Sequence, residues 1–123
     1  MSTLKVTNIQ DTSGGNSSTS AEIYNGRAKA WIRFTNTGSI VDSYNVNSLG
    51  WTGDRTMTVN FSTSFANANY GTVHGMEATG SFGVVIVMNS RTTSAWTGTQ
   101  YRFAGSTYQQ SGNFGGTLAF YGD

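Results

Sequence analysis

Hydrophobic and polar side chains alternate along several short stretches of the chain, which is the pattern of a β-strand with one buried face. Residues 27–34 and 55–62 show it most clearly. The pattern predicts that one set of side chains faces a core: Ala28, Ala30, Ile32, Phe34, Met57, Val59 and Phe61. The side chains between them would point outward: Lys29, Trp31, Arg33, Thr56, Thr58 and Asn60.

Weaker strand patterns occur between turn-forming residues, at 39–49, 69–78, 82–89, 100–104 and 116–122. The segment 50–54 is predicted to be a loop, and no segment shows sustained helical periodicity. Strands at regular spacing, separated by turns rich in Gly, Asn and Ser, indicate a sandwich or a small barrel. We expect an all-β fold, an antiparallel β-sandwich.

Residues 84–88 are apolar on both faces of their predicted strand. Such a run is typical of a strand that is covered on both sides. One cover would be the opposite sheet, and a partner subunit could be the other. Charged residues make up only 11% of the chain and the net charge is +1. Charge repulsion between copies of the chain therefore opposes their association only weakly.

The chain is predicted to divide near residue 24. Residues 1–24 are expected to form an extended arm and a flexible linker, because 11–20 is rich in Gly and Ser. The few apolar side chains of the arm, Leu4, Val6 and Ile9, could dock on a neighbouring chain. Residues 25–123 are predicted to form the sandwich itself, as a head domain.

The amino-acid composition suits a β protein and argues against several functional classes. Gly, Thr, Ser and Asn account for 60 of the 123 residues, which suits strands joined by tight turns. The chain has no Cys, so disulfides and thiolate metal sites are excluded. It has no basic cluster for nucleic acid, no apolar run long enough for membrane insertion, and no signal-peptide core at its N-terminus.

Three stretches resemble the C-terminal head domain of tail-fibre proteins from many bacteriophages, marine and cyanobacterial phages among them. They are residues 28–34 (AKAWIRF), 43–49 (SYNVNSL) and 53–61 (GDRTMTVNF), the last leading to Ala68-Asn69-Tyr70. The resemblance implies a β-rich head, commonly a homotrimer, that sits on the virion and contacts the host surface. Such a protein is made in the host cytoplasm and released by lysis.

The leader is also similar to the segment that joins shaft to head in such fibres, at residues 4–10 and 12–15. This implies that the N-terminal arm contacts other virion proteins. The chain departs from the family at Ala66, where a Pro is common, and its turn there is expected to be less rigid.

Aromatic side chains in predicted turns are the candidate receptor contacts: Trp51, Trp96 and Tyr108. An exposed ring can stack on a sugar, and nearby Arg91 and Arg102 could contact a surface glycan or protein. The alternative is that each ring folds back over the core. The candidate subunit contacts are Lys29, Trp31, Arg33 and His74, with core packing as the alternative for Trp31.

Catalytic chemistry finds little support in the sequence. A glycosidase needs two facing carboxylates, and no acidic pair is close in sequence. Asp42 and Glu77 are the acids that a glycan-degrading enzyme would use. His74 is the only His and there is no Cys, so the ligands of a metal site would have to be mostly oxygen atoms, and we expect no cofactor and no metal.

Three functional hypotheses remain. The first is a receptor-binding fibre head that gains avidity from three weak sites on one tip. The second is a capsid decoration or tail adaptor protein that binds no receptor. The third, less favoured, is a glycan-degrading enzyme.

Overall fold

The structure is a computed structural model that describes residues 2–3, 5–10, 12–14, 17–52, 55–77, 83–104, 107–109 and 113–122. The strands in these ranges are β1 Asn8–Gln10, β2 Ser17–Thr19, β3 Ala30–Phe34, β4 Ile40–Tyr44, β5 Val46–Thr52, β6 Thr56–Phe61, β7 Gly71–Met76, β8 Gly83–Arg91, β9 Ala95–Ala104, β10 Thr107–Gln109 and β11 Gly116–Tyr121. One helix, α1, spans Ser20–Gly26. The fold is all-β, as the sequence predicts.

Two antiparallel sheets pack against each other, which confirms the predicted sandwich. The four-stranded sheet has the order β4-β3-β11-β7. The second sheet has the order β10-β9-β6-β5, and β8 pairs with β9 along the other edge. Strands β1 and β2 form a separate hairpin. Because consecutive strands such as β6 and β7 lie in different sheets, most of the contacts that define the fold join distant parts of the sequence.

The core lies between the two sheets and is built from the alternating positions that the sequence indicates. Strands β3, β6 and β11 bury every second side chain. The largest buried side chains are Phe34, Tyr70, Trp96 and Phe120. Phe61 makes edge-on ring contacts with both Tyr70 and Phe120. Each such ring contributes about 1.5–3 kcal/mol by leaving water, so this cluster is the main source of cohesion between the sheets.

The predicted single strand at 39–49 is wrong, because the chain breaks there into β4 and β5, which lie in different sheets. Asn45 makes the break with a positive φ of 55°, a conformation that Asn tolerates better than most residues. Its side chain holds the corner: Nδ2 donates to the carbonyl oxygens of Lys29 and Thr63, and Oδ1 accepts from the Thr63 N–H.

The predicted loop at 50–54 is also wrong over its first three residues, which belong to β5. Trp51 therefore lies in a strand opposite Met57 of β6, and its side chain points toward the core. Its indole passes close to Gly38, where an added Cβ would lie 2.3 Å from the Trp51 Nε1 atom. Gly38 also has a φ of 84°, which favours glycine. Both the close approach of Trp51 and this backbone conformation therefore require glycine at position 38.

A helix that the periodicity did not indicate lies between the hairpin and β3. Thr19 caps α1: its hydroxyl accepts from the Glu22 N–H at 3.1 Å, and Glu22 Oε2 accepts from the Thr19 N–H at 2.7 Å. These hydrogen bonds form a capping box and lower the pKa of the Glu22 carboxyl. The helix places Tyr24 against Lys29, which directly precedes β3.

The chain covers strand β8 only in part. Ile86 is buried, but Val87 and Met88 are 43% and 46% exposed. Within the described ranges β8 pairs with β9 and with no other strand. The apolar run at 84–88 therefore leaves exposed apolar side chains along an edge strand, a position where natural proteins more often place charge or a covering element.

Candidate functional site

The outer face of the four-stranded sheet carries a row of apolar side chains that crosses all four strands. Strand pairing sets Tyr44 opposite Trp31, Trp31 opposite Ala119, and Ala119 opposite Val73. Trp31 is half-buried, whereas Tyr44 and Val73 are 55% and 63% exposed. Directly opposed side chains on one sheet face have Cβ atoms about 4.5–5.5 Å apart. The four residues, called the apolar row below, therefore form one continuous strip.

Beside the apolar row lies a polar row in which Arg33 is opposite Asp42 on β4. The Arg33 guanidinium also pairs with the Glu77 carboxylate at 3.5 Å. Asp42 Oδ1 accepts a hydrogen bond from the Ser43 N–H at 2.8 Å. These groups are exposed to water, so the ion pair adds little to stability. Arg33 therefore lies among acidic side chains on one side of the apolar row.

A groove with a volume of about 490 Å³ opens at the other side, at the end of the sandwich where β3 begins and β4, β6 and β11 end. That volume is within the usual range for small-ligand sites. Tyr44 belongs both to the apolar row and to the wall of the groove. The other functional side chains of the wall are Tyr24, Arg27, Lys29, Thr63 and Ser64.

Two cations lie against the ring of Tyr24. The Lys29 ammonium is above the ring face and donates a hydrogen bond to the Tyr24 carbonyl oxygen. The Arg27 guanidinium carbon is 5.1 Å from the ring centroid. Contacts of a cation with an aromatic face contribute about 0.5–1 kcal/mol at exposed sites. They also connect helix α1 to the start of β3, so the three side chains form one side of the groove.

The opposite side of the groove is the loop after β6, which is anchored on the turn between β8 and β9. The Tyr70 hydroxyl shares its one hydrogen between the carbonyl oxygens of Thr92 and Ala95, at 3.0 and 2.9 Å. Arg91 Nη1 donates to the Tyr70 carbonyl oxygen at 2.8 Å. Burial raises the pKa of Tyr70, and the positive charge of Arg91 opposes this rise. These hydrogen bonds hold the loop that carries Thr63 and Ser64 against the turn between β8 and β9.

The predicted receptor-binding residues all fall on strands of the second sheet, where Arg91 lies directly opposite Trp96. Trp96 is only 2% exposed and belongs to the core, so the prediction of an exposed ring is wrong and its alternative, packing over the core, is right. Trp51 is half-buried and packs edge-on against Phe34. Arg91 is exposed, yet its described contact supports Tyr70. Arg102 is half-buried in β9. The side chain of Tyr108, in β10, lies outside the described residues.

The predicted subunit contacts fall in two places. Trp31 and Arg33 lie on the outer side of β3, as the alternation predicts, and Lys29 directly precedes the strand. His74 lies apart from them on β7, opposite Leu118, and is exposed. The sequence analysis missed Tyr24, Arg27 and Tyr44 as site residues. Tyr44 could have been found from its place beside Asn45, had that residue been read as a turn.

Comparison of the chain with protein-family models, with curated proteins and with solved structures found no match. The resemblance to phage fibre heads therefore stays a prediction. In the described part of the chain no helix is long and apolar enough to cross a membrane. The same ranges contain no cluster of three or more His, Asp or Glu side chains that could hold a metal ion.

Proposed function

We propose that this protein is a binding head that attaches to glycans on a cell surface, in the tail-fibre role that its sequence resemblance implies. The observation that supports this most is the apolar row, in which Trp31 and Tyr44 lie exposed or half-exposed on an open sheet face beside the groove. Aromatic rings stack on the apolar faces of sugars, while their polar edges remain in water. The sheet holds both rings at a fixed spacing, so little conformational entropy is lost on binding.

The mechanism of the proposed attachment is multivalent. A single shallow site of this kind binds weakly, because most of its surface remains solvated. Several heads on one fibre tip bind together at a high effective concentration, which raises the overall affinity without any new contact. The proposed partners are therefore a cell-surface glycan and further copies of the chain, with the N-terminal arm joining the head to other virion proteins.

Replacing Trp31 with alanine is expected to weaken binding to glycans of the host surface about tenfold, which corresponds to the loss of one stacking contact. Binding is measured on intact host cells and on a glycan array. The matched control is Phe103→Ala, which removes an exposed aromatic ring from the second sheet and should leave binding unchanged. Equal binding by the wild type and a folded Trp31→Ala variant contradicts the proposal.

Two further measurements on the wild-type chain separate the other two hypotheses. A wild-type chain that attaches to virions through its arm but binds neither cells nor glycans supports the decoration or adaptor role. Release of reducing sugar by the pure protein, abolished by Asp42→Asn or Glu77→Gln, supports an enzyme.

The proposal includes association into a homotrimer, for which the exposed side chains of β8 supply apolar surface. Light scattering is expected to give a mass of about 39 kDa, three times the 13.1 kDa of one chain. Val87→Lys, which places a charge on that strand, should shift the mass toward one chain, whereas Val73→Lys on the other sheet should not. A strict monomer at high concentration contradicts this part of the proposal.

A further inference from the structure

The groove beside the apolar row differs from the rest of that sheet face in its charge. Arg27 and Lys29 are the charged side chains in its described wall, and that wall contains no carboxylate. Arg33, two residues further along β3, is instead paired with Glu77. The positive charge of Arg33 is thus neutralised by an acidic partner, whereas the positive charges of Arg27 and Lys29 in the described groove wall are not.

Both groove cations keep hydrogen-bonding capacity for a ligand. The Lys29 ammonium has three N–H donors, of which one is directed at the Tyr24 carbonyl oxygen. The Arg27 guanidinium is exposed and has five donors in a planar fork, the geometry that matches a carboxylate, sulfate or phosphate group. Neither cation forms an ion pair with a carboxylate in the described ranges. An anion in the groove would therefore replace water rather than a protein partner.

Tyr44 connects the groove to the stacking surface. Its ring lies in the apolar row opposite Trp31 and also in the wall that Lys29 shares. A sugar ring stacked on Tyr44 would hold its substituents at the mouth of the groove. The hydroxyl groups of Thr63 and Ser64, on the far wall, are additional hydrogen-bonding groups of the kind that contact sugar hydroxyls.

We propose that the groove selects acidic glycans: a saccharide stacks on Tyr44 and places an anionic substituent between Arg27 and Lys29. This inference rests on the proposed glycan-binding function and adds the ligand class. The shared chemistry is a negative charge on a sugar ring, which a uronic acid, a sulfated sugar or a phosphorylated sugar supplies. Two cations suit a single anionic group, whereas a nucleic-acid strand requires a longer basic track.

The experiment compares D-glucuronate with D-glucose, two sugars that differ at one carbon, by following the backbone amide signals of Lys29 and Tyr44 in NMR titrations of the full chain. The wild type is expected to bind glucuronate at least about tenfold more tightly, the effect of one charge-assisted contact. This preference should shrink between 0.1 M and 1 M salt, as the Debye length falls from roughly 10 Å to 3 Å. Glucose 6-phosphate and galactose 6-sulfate distinguish the possible anionic groups.

The variant Arg27→Gln/Lys29→Gln is expected to lose the preference, so that it binds glucuronate no more tightly than glucose. Arg33→Gln is the matched control, because it removes a cation of the same face outside the groove, and it should retain the preference. If the double variant does not fold, Arg27→Gln alone serves, since the Arg27 side chain is exposed.

The outcomes separate this inference from the function on which it rests. Equal affinity for glucuronate and glucose, both reduced by Trp31→Ala, overturns the acidic-glycan inference and leaves the binding head in place. No response to any of the four sugars, together with no binding of host cells, overturns both. A preference for glucuronate that survives in the folded double variant places the anion elsewhere and overturns the inference as well.

Discussion

Replacing Trp96 with alanine is expected to lower the free energy of unfolding by about 3–5 kcal/mol, the usual cost of deleting a large buried ring. Trp96 is almost fully buried and lies opposite Val59 of β6. Its ring centroid is 5.8 Å from that of Phe120, at an interplanar angle of 67°. The indole therefore links the second sheet to the four-stranded sheet. Urea unfolding followed by tryptophan fluorescence and circular dichroism measures the change.

The comparison with Trp31→Ala makes this a test of role as well as of stability. Trp31 is half-buried on an outer sheet face, so its loss should cost less than half as much stability while it weakens glycan binding. We thus expect the two substitutions to have different effects: Trp96→Ala lowers stability, and Trp31→Ala weakens glycan binding. A Trp96→Ala protein that keeps wild-type stability and loses glycan binding would contradict the structure and support the original sequence interpretation of Trp96.

The alternating strands could be predicted because their signal is local. In β3 and β6 one face is buried and the other is not, so a period of two appears directly in the sequence. The same logic placed Lys29, Trp31 and Arg33 on one outward face. No knowledge of neighbouring strands was needed for that inference, since a strand alternates whatever it pairs with.

The sequence predicts that Trp96 lies in an exposed turn, and this prediction is wrong because of tertiary packing. Gly98 and the polar residues around it are typical of a turn, and the sequence therefore indicated a loop. In the structure Gly98 lies within β9, and an added Cβ would lie only 2.3 Å from the Trp96 ring. The glycine is there because the indole occupies the space above it. A close approach of this kind looks like turn chemistry until the partner ring is known.

The break at Asn45 was missed because Asn is compatible with both a strand and a left-handed corner, and only its side-chain partners decide between them. Those partners, Lys29 and Thr63, are 16 and 18 residues away in sequence. The groove was beyond prediction for the same reason. It combines a helix, the start of β3 and the loop after β6, which only the folded chain brings together.

The buried amide of Gln100 joins the end of the chain to the core. Its side chain is fully buried. Nε2 donates to the Phe114 carbonyl oxygen and Oε1 accepts from the Phe114 N–H, both at 2.9 Å. The Gln100 amide thus makes the two hydrogen bonds that a neighbouring strand would make with the backbone of Phe114, just before β11. Next in the chain, Gly115 packs so closely that an added Cβ would lie 2.9 Å from the Phe34 carbonyl oxygen.

Replacing Gln100 with leucine is therefore expected to destabilise the fold, although leucine is apolar and of similar size. The Phe114 N–H and carbonyl oxygen each lose their hydrogen bond with Gln100, and a lost hydrogen bond costs about 1–3 kcal/mol where water cannot replace it. Urea unfolding measures the total, and faster hydrogen exchange at the Phe114 amide identifies its origin. Gln10→Leu makes the same change at an exposed position of β1 and should stay within about 0.5 kcal/mol of the wild type. A Gln100→Leu protein as stable as the wild type would show that apolar packing alone holds β11 in the four-stranded sheet.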